Sequence, residues 1–335
     1  MKEIHVALLG LGNVGRAFAE YCRTTGDSLS PRLNIRAVAD SSGGLILDSY
    51  EDLDRILDQK SQRRKLSESA PAPLLRDATA FLRSLKPAGI SVLVESLPTN
   101  IQSGQPALDL LTKALFLGLN VVTVDKGPLI HGFEALRSAS KAGGSSFAYT
   151  GTTGVRIPPE LSDEPVLEIA GVLNGTTNHI LTDMLERGSR FDTALAQAQT
   201  DGIAEPDPSL DVEGWDTAAK ILILAKSLMN PATSLAEVSR VGINQESEAF
   251  IERARASGQV VRLVGRARQS SSRLRVSVAP ELVASDSPFF SVTGTSKIAV
   301  FKTERGEVVS KSRSGRDAIS QTIVDDVWKV ARKAT

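Results

Sequence analysis

"IHVALLGLGNVG", residues 4–15, decides how the first half of this chain folds. It opens as a continuous apolar run, the pattern of a strand buried on both faces. It ends in Gly10, Gly12 and Gly15, spaced G-x-G-x-x-G, and "RAFAEYCRTT" (16–25) continues as an amphipathic helix. In that order the three parts make a phosphate cradle. The first glycine permits the tight turn, the second lets the backbone approach a pyrophosphate, and the third lets helix and strand pack closely. The helix end adds N–H groups and the positive end of its dipole. Gly10, Gly12, Asn13, Val14 and Gly15 are therefore the expected dinucleotide-binding loop; a glycine turn without a ligand is the alternative reading.

Outward from the loop, "LNIRAVAD" (33–40) is a second strand ending in Asp40, 25 positions after Gly15. A carboxylate there accepts from a ribose 2′-hydroxyl and repels a 2′-phosphate, so NAD is mildly favoured over NADP. The same group can instead cap the following turn. Arg16 and Arg36 leave a phosphate partner open, so the expected cofactor is NAD or NADP. Residues 41–73 are polar and contain one expected helix, "YEDLDRILDQKSQRRK" (50–65). Then come the helix "ATAFLRSLK" (78–86), the strand "ISVLVES" (90–96), the helix "QPALDLLTKALFLG" (105–118), the strand "NVVTVDKGP" (120–128), the helix "GFEALRSASKAG" (132–143) and the strand "SSFAYTG" (145–151). Apolar strands alternating with helices predict a parallel sheet covered on both sides.

The texture changes near Gly151. "PVLEIAGVL" (165–173) opens a second domain, followed by helices "TNHILTDMLERG" (177–188) and "FDTALAQAQTDG" (191–202). Later strands alternate polar and apolar, as in "VVRLVGRAR" (260–268), and "KIAVFKTERGEVVSKS" (297–312) reads as a hairpin turning at "ERGE". That predicts an antiparallel or mixed sheet with one wet face. The expected fold class is α/β: a dinucleotide-binding domain over 1–150 and an α+β domain over 151–315, before a last helix from "DAISQTIVDDVWKVARKA" (317–334).

Composition narrows the partners. The 335 residues hold 39 basic and 39 acidic side chains, so no global field recruits nucleic acid or an anionic membrane. One cysteine, Cys22, lies within a predicted helix, expected in the core; this suits a reducing, cytoplasmic setting. The N-terminus lacks a signal-peptide pattern, and no apolar run has bilayer length. Three scattered histidines give no metal-ligand spacing, so no metal is expected.

The stretch "EPDPSLDVEGWDTAAK" (205–220) holds five carboxylates and then a lysine at the start of the apolar helix "ILILA". Asp216 and Lys220, one turn apart, are either a surface ion pair contributing about 0.2–0.5 kcal/mol or part of a pocket. "GVLNGTTNHILTDM" (171–184) brings a strand end and a hydroxyl-rich helix start, either a well-capped helix or a seat for a small polar ligand.

Taken together, "GVLNGTTNHILTDM", "DGIAEPDPSLDVEGWDTAAKILILA" (201–225), "NVVTVDKGPL" (120–129) and "SPFFSVTGTSKIAVFKTERG" (287–306) resemble homoserine dehydrogenase, in order over nearly the whole chain. The resemblance implies a Rossmann-type domain completed by a C-terminal helix (316–335) and a substrate and dimerisation domain. It implies reversible, nicotinamide-dependent interconversion of L-aspartate 4-semialdehyde and L-homoserine in a homodimer. By position it assigns proton handling to Lys126 and Lys220 with Asp216, substrate binding to Gly175, Thr176, Glu205 and Asp211, and the nicotinamide side to Ser96 and Leu97. Asp207 and Glu213 are left as solvated charge. Another amino-acid or oxo-acid dehydrogenase on the same scaffold, or a regulator that binds nucleotide without catalysis, are the competing readings; Lys126 with Lys220 argues against the last.

Two segments depart from the family pattern. "YTGTTGVRIP" (149–158) puts Thr150 where members carry a cation-holding glutamate, and Arg156 where they carry a small residue, so catalysis without a bound cation is expected. "SRSGRDA" (312–318) keeps only Gly315 of a glycine-rich turn, and Arg316 is read as solvated. No appended regulatory domain, and hence no threonine feedback through one, is expected.

Overall fold

A computed structural model describes residues 3–25, 29–68, 70–229, 232–270, 273–313 and 316–332. The chain forms two compact units, Met1–Thr152 with Gly315–Thr335, and Thr153–Ser314.

In the first unit, strands β1 (Glu3–Leu9), β2 (Arg32–Asp40), β3 (Gly43–Ile46), β4 (Val92–Glu95), β5 (Asn120–Thr123) and β6 (Phe147–Ala148) form one sheet in the order β3-β2-β1-β4-β5-β6. All pairings are parallel except β2–β3. The chain order reverses between β1 and β4, which leaves a crevice beyond their carboxyl ends for a ligand. Val6, Leu8, Val92 and Val94 meet Phe18 and Ala19 of helix Asn13–Thr25 and Ile323, Val324 and Val327 of helix Arg316–Arg332 in one core. Each fully buried large apolar side chain there contributes about 1.5–3 kcal/mol. The last helix is further tied by Trp328 Nε1, which donates to the Pro31 carbonyl at 2.9 Å. Cys22 packs in this core, where burial pushes its thiol up to about 12 and keeps it protonated.

Three local features differ from the expectation. Strand β3 lies in the stretch read as polar with one helix, and makes the sheet mixed. "DKGP" does not extend a strand: helix Lys126–Gly143 begins there, capped by the Asp125 side chain, which accepts from Gly127 N. Its Pro128 falls in the first turn, where a missing N–H costs nothing. Finally, "YTG" is not strand, because Thr150–Thr153 forms a single helical turn after the two-residue β6.

In the second unit, β7 (Val166–Val172), β8 (Ser239–Arg240), β9 (Val260–Ser270), β10 (Arg273–Val283), β11 (Ser296–Thr303) and β12 (Glu307–Arg313) form a sheet in the order β12-β11-β7-β9-β10-β8. Its pairings are antiparallel except β8–β10, as a mixed sheet requires. Helices Gly175–Arg187 and Trp215–Leu228 pack on β9. Gly265 makes the second approach close: a Cβ there would stand 3.1 Å from the side chains of Ile221 and Thr217. The "SPFF" turn is held from below by Arg262, only 1% exposed, which donates to the carbonyls of Val261, Phe289 and Phe290. Gly315 of the "SRSGRDA" turn and the side chain of Arg316 lie outside the described residues. No helix among the described residues is long and apolar enough to cross a membrane.

Candidate active site

The glycine loop sits at the crevice of the first unit. Gly10 takes φ +100°, and a Cβ on it would meet the Ser96 carbonyl carbon at 2.7 Å. A Cβ on Gly15 would lie 2.1 Å from the Gly10 oxygen, whereas nothing stands within 4 Å of one on Gly12. Two glycines are thus fixed by the chain, and the middle one faces open space, as a loop that receives a pyrophosphate needs. Asn13 and Val14 begin the helix behind it, Asn13 exposed and accepting from Arg16 at 3.1 Å.

A cavity of about 860 Å³ adjoins the loop, lined among others by Leu9, Asp40, Ser41, Arg76 and Leu97–Thr99. Asp40 is more occupied than its position at a strand end suggests. Its Oδ1 accepts from Ser42 N and Oγ at 2.8 and 2.6 Å, and its Oδ2 from Lys60 Nζ at 2.7 Å and Leu66 N at 2.9 Å. Burial raises its pKa, but these donors outweigh it and hold the group below the usual carboxylate range. Any ligand hydroxyl that reached Asp40 would have to share it with, or displace, one of four donors. Ser96 is a strut: its hydroxyl donates to the Gly10 carbonyl at 2.9 Å and its amide to the Leu9 carbonyl at 2.8 Å. The Leu97 amide donates to Glu95 Oε1 at 2.6 Å. Lys126 is half-buried at the first position of its helix.

In the second unit a different cluster forms. Lys220 Nζ donates to Asp216 Oδ2 at 2.6 Å and to the Leu173 carbonyl at 2.9 Å, the two side chains 11% and 13% exposed. An ordinary surface i,i+4 pair is not held by a third element in this way. Asn174 joins the cluster, a residue that sequence reasoning missed. Its Nδ2 donates to Asp211 Oδ1 at 2.6 Å and Asp216 Oδ2 at 2.8 Å, while its Oδ1 caps Thr177 N at 2.8 Å. The available signal was its N-cap position before Gly175, a place asparagine favours for helix starts alone. Gly175 abuts Thr295, where a Cβ would lie 3.1 Å from the carbonyl oxygen. The Thr176 hydroxyl donates to the Ile203 carbonyl at 3.2 Å. Glu205 does not join this network; it is exposed, and its carboxylate has no hydrogen bond or ion pair among the described residues. Asp207 caps Ser209 at the surface, and Glu213 accepts from Trp215 Nε1 at 3.1 Å.

A glycine cradle at the switch point of a β3-β2-β1-β4-β5-β6 sheet defines a dinucleotide-binding α/β protein. A family model for homoserine dehydrogenase matches residues 158–328. The homoserine dehydrogenase of Methanocaldococcus jannaschii is 32% identical over 91% of this chain and 91% of its own. The NAD(+)-dependent homoserine dehydrogenase of Pseudomonas canavaninivorans is 31% identical over 100% of this chain and 98% of its own. A hyperthermophilic archaeal homoserine dehydrogenase solved in complex with NADPH superposes with a TM-score of 0.78 at 26% identity, covering 99% of this chain and 98% of that one. The chain belongs to the homoserine dehydrogenase family.

Proposed function

We propose that this protein interconverts L-aspartate 4-semialdehyde and L-homoserine with NAD or NADP. The observation that carries the reading is the Lys220 ammonium. Two of its three N–H donors are spent on Asp216 and Leu173, which leaves the third for a substrate oxygen. The nicotinamide supplies or takes the hydride when bound. Lys220 stabilises the oxygen as it gains charge and can deliver the proton. Asp211 and Asp216, bridged by the Asn174 carboxamide nitrogen, receive the amino acid's ammonium and hydroxyl. Glu205, Gly175 and Thr176 are proposed to complete the substrate's seat, and Lys126 to be the second lysine that handles the proton. Gly10 to Gly15 cradle the phosphates, and Ser96 and Leu97 border the nicotinamide side. Asp40 stays ionised in the cavity wall and disfavours a 2′-phosphate, but Lys60 offsets much of its charge, so the preference for NAD is mild. A homodimer in the cytoplasm belongs to the same proposal, and sedimentation equilibrium tests the dimer.

The deciding assay follows reduced cofactor by absorbance with L-homoserine and either NAD or NADP. Turnover with at least one, and none with other hydroxy amino acids at equal concentration, is expected; no turnover with either dinucleotide rejects the reading.

Two further results are expected. Asn174→Ala removes hydrogen bonds to two carboxylates, about 1.5–3 kcal/mol, so kcat/KM for homoserine should fall about ten- to a hundredfold; an unchanged value removes Asn174 from the site. Catalysis is also proposed to need no bound monovalent cation. Thr150 has no carboxylate to offer, and its amide and hydroxyl both donate to Asp326 at 2.8 Å. Rates in tetramethylammonium buffer free of sodium and potassium should match those in either salt.

A further inference from the structure

Glu95, at the end of β4, is fully buried, makes no ion pair among the described residues, and is not used by the chemistry above. Its two oxygens reach two different segments. Oε1 accepts from Leu97 N at 2.6 Å, and Oε2 accepts from the Thr123 hydroxyl at 2.5 Å. Thr123 Oγ1 in turn accepts from Asp125 N at 3.0 Å. Asp125, 1% exposed, caps helix Lys126–Gly143 through Gly127 N at 2.8 Å and takes a hydrogen bond from the Thr99 side chain. One buried chain of polar groups thus runs from the loop Ser96–Thr99, whose Leu97 and Thr99 line the cavity, to the first turn of the helix that begins with Lys126. Through Ser96 it also reaches Gly10 of the phosphate loop.

We propose that Glu95 is a positioning residue that locks the nicotinamide-side loop and the Lys126 helix start into a single frame. This rests on the functional reading given above. As an anion, Glu95 keeps the Leu97 amide and the Thr123 hydroxyl as donors but lies buried beside the Asp125 carboxylate, which favours the neutral acid. Protonated on Oε2, it donates to Thr123 Oγ1 instead, and the Thr123 hydroxyl turns to the Asp125 carbonyl, 3.4 Å away. Burial, and then Asp125, push its pKa up to about 8, against smaller pulls from the Thr123 hydroxyl and the Leu97 amide. Asp125 is itself raised by burial, with Gly127, Thr99 and Lys126 opposing. Of the other titratable groups on the helices packed against these strands, Lys113 and Lys141 are exposed, as are Asp109, His131 and Glu134, bonded to Gln105, the Ile101 carbonyl and Arg137, while Asp325 and Asp326 of helix Arg316–Arg332 accept from Gln321 and Thr150. The native state therefore holds one proton more than the unfolded chain between the ordinary glutamate pKa of 4.5 and about 8. Stability from this group is full below that window and is lost as pH rises through it.

The test compares Glu95→Gln, Glu95→Leu and Thr123→Val across pH 6–9.5, with NAD and NADP affinity measured without homoserine and kcat and KM measured with it. A glutamine reproduces the neutral acid's donor and acceptor, so Glu95→Gln should rescue most of what Glu95→Leu loses. Glu95→Leu should weaken dinucleotide binding and lower kcat at least tenfold each, and Thr123→Val about threefold. Above pH 8 the wild type should lose affinity several-fold more than Glu95→Gln. The proposal is overturned if Glu95→Gln is as impaired as Glu95→Leu at pH 7, or if Glu95→Leu binds and turns over like wild type. Should Glu95→Leu fail to fold, superimposable pH profiles of wild type and Glu95→Gln overturn it equally. Wild type that binds dinucleotide but ignores homoserine would reject the assigned reaction while the binding arm still judges Glu95.

Discussion

Lys220→Ala is expected to lower kcat by about three orders of magnitude, within the range for losing a positioned acid–base group. The substitution removes the ammonium proposed to meet the developing alkoxide and takes from Asp216 the cation that donates to it at 2.6 Å. KM for homoserine should change far less than kcat, because the interaction lost is strongest in the transition state. Breaking a nearly buried pair also costs stability, about 3–5 kcal/mol where burial is complete, so circular dichroism and Tm must accompany the kinetics. Lys220→Arg should not rescue the rate: a planar guanidinium cannot place three tetrahedral donors on Asp216, Leu173 and a substrate oxygen. A folded Lys220→Ala enzyme within threefold of wild-type kcat would falsify the role.

The second large effect separates two glycines that look alike in sequence. Gly12→Ala should fold with wild-type Tm, since the new methyl meets nothing within 4 Å. It should nevertheless lose at least tenfold in NAD and NADP affinity, about 1.4 kcal/mol, because the space it enters is where the proposed site admits the pyrophosphate. Gly15→Ala should fail differently. Its methyl would sit 2.1 Å from the Gly10 oxygen and 2.7 Å from Ser96 Oγ, against backbone that cannot yield. Overpacking of this kind costs about 1–3 kcal/mol, and the loop shift should abolish dinucleotide binding as well. Calorimetric titration with each nucleotide, paired with thermal melts, reads both. Wild-type affinity in Gly12→Ala would place the phosphates elsewhere.

Much of this was legible in the letters. The glycine spacing, the apolar strands between amphipathic helices and the switch to alternating strands after Gly151 each report a local periodicity, and periodicity fixes which face of an element is buried. Strand β3 escaped because "GGLI" is four residues long, starts with two glycines and is stabilised by pairing with β2 rather than by its own pattern. The helix start at Lys126 escaped because "NVVTV" is a strand pattern and the Gly-Pro that follows "DK" reads as a turn, so only the Asp125 cap reveals the change.

The sequence by itself determined the two-part α/β organisation, the dinucleotide loop and the family. The first two rest on periodicity and spacings within a few residues, and the family on the resemblance of several motifs taken in order along the chain. Only the tertiary structure decided what individual charges face. Asp40 is claimed by Lys60 and Leu66, 20 and 26 positions away. Asp216 and Lys220 are drawn from the surface by Leu173 and Asn174, more than 40 positions earlier. Glu95 is joined to Thr123 across two neighbouring strands, 28 positions apart. A hydrogen bond to a distant partner leaves no periodic trace, and burial, which sets whether a charge is solvated, paired or neutralised, belongs to the assembled core.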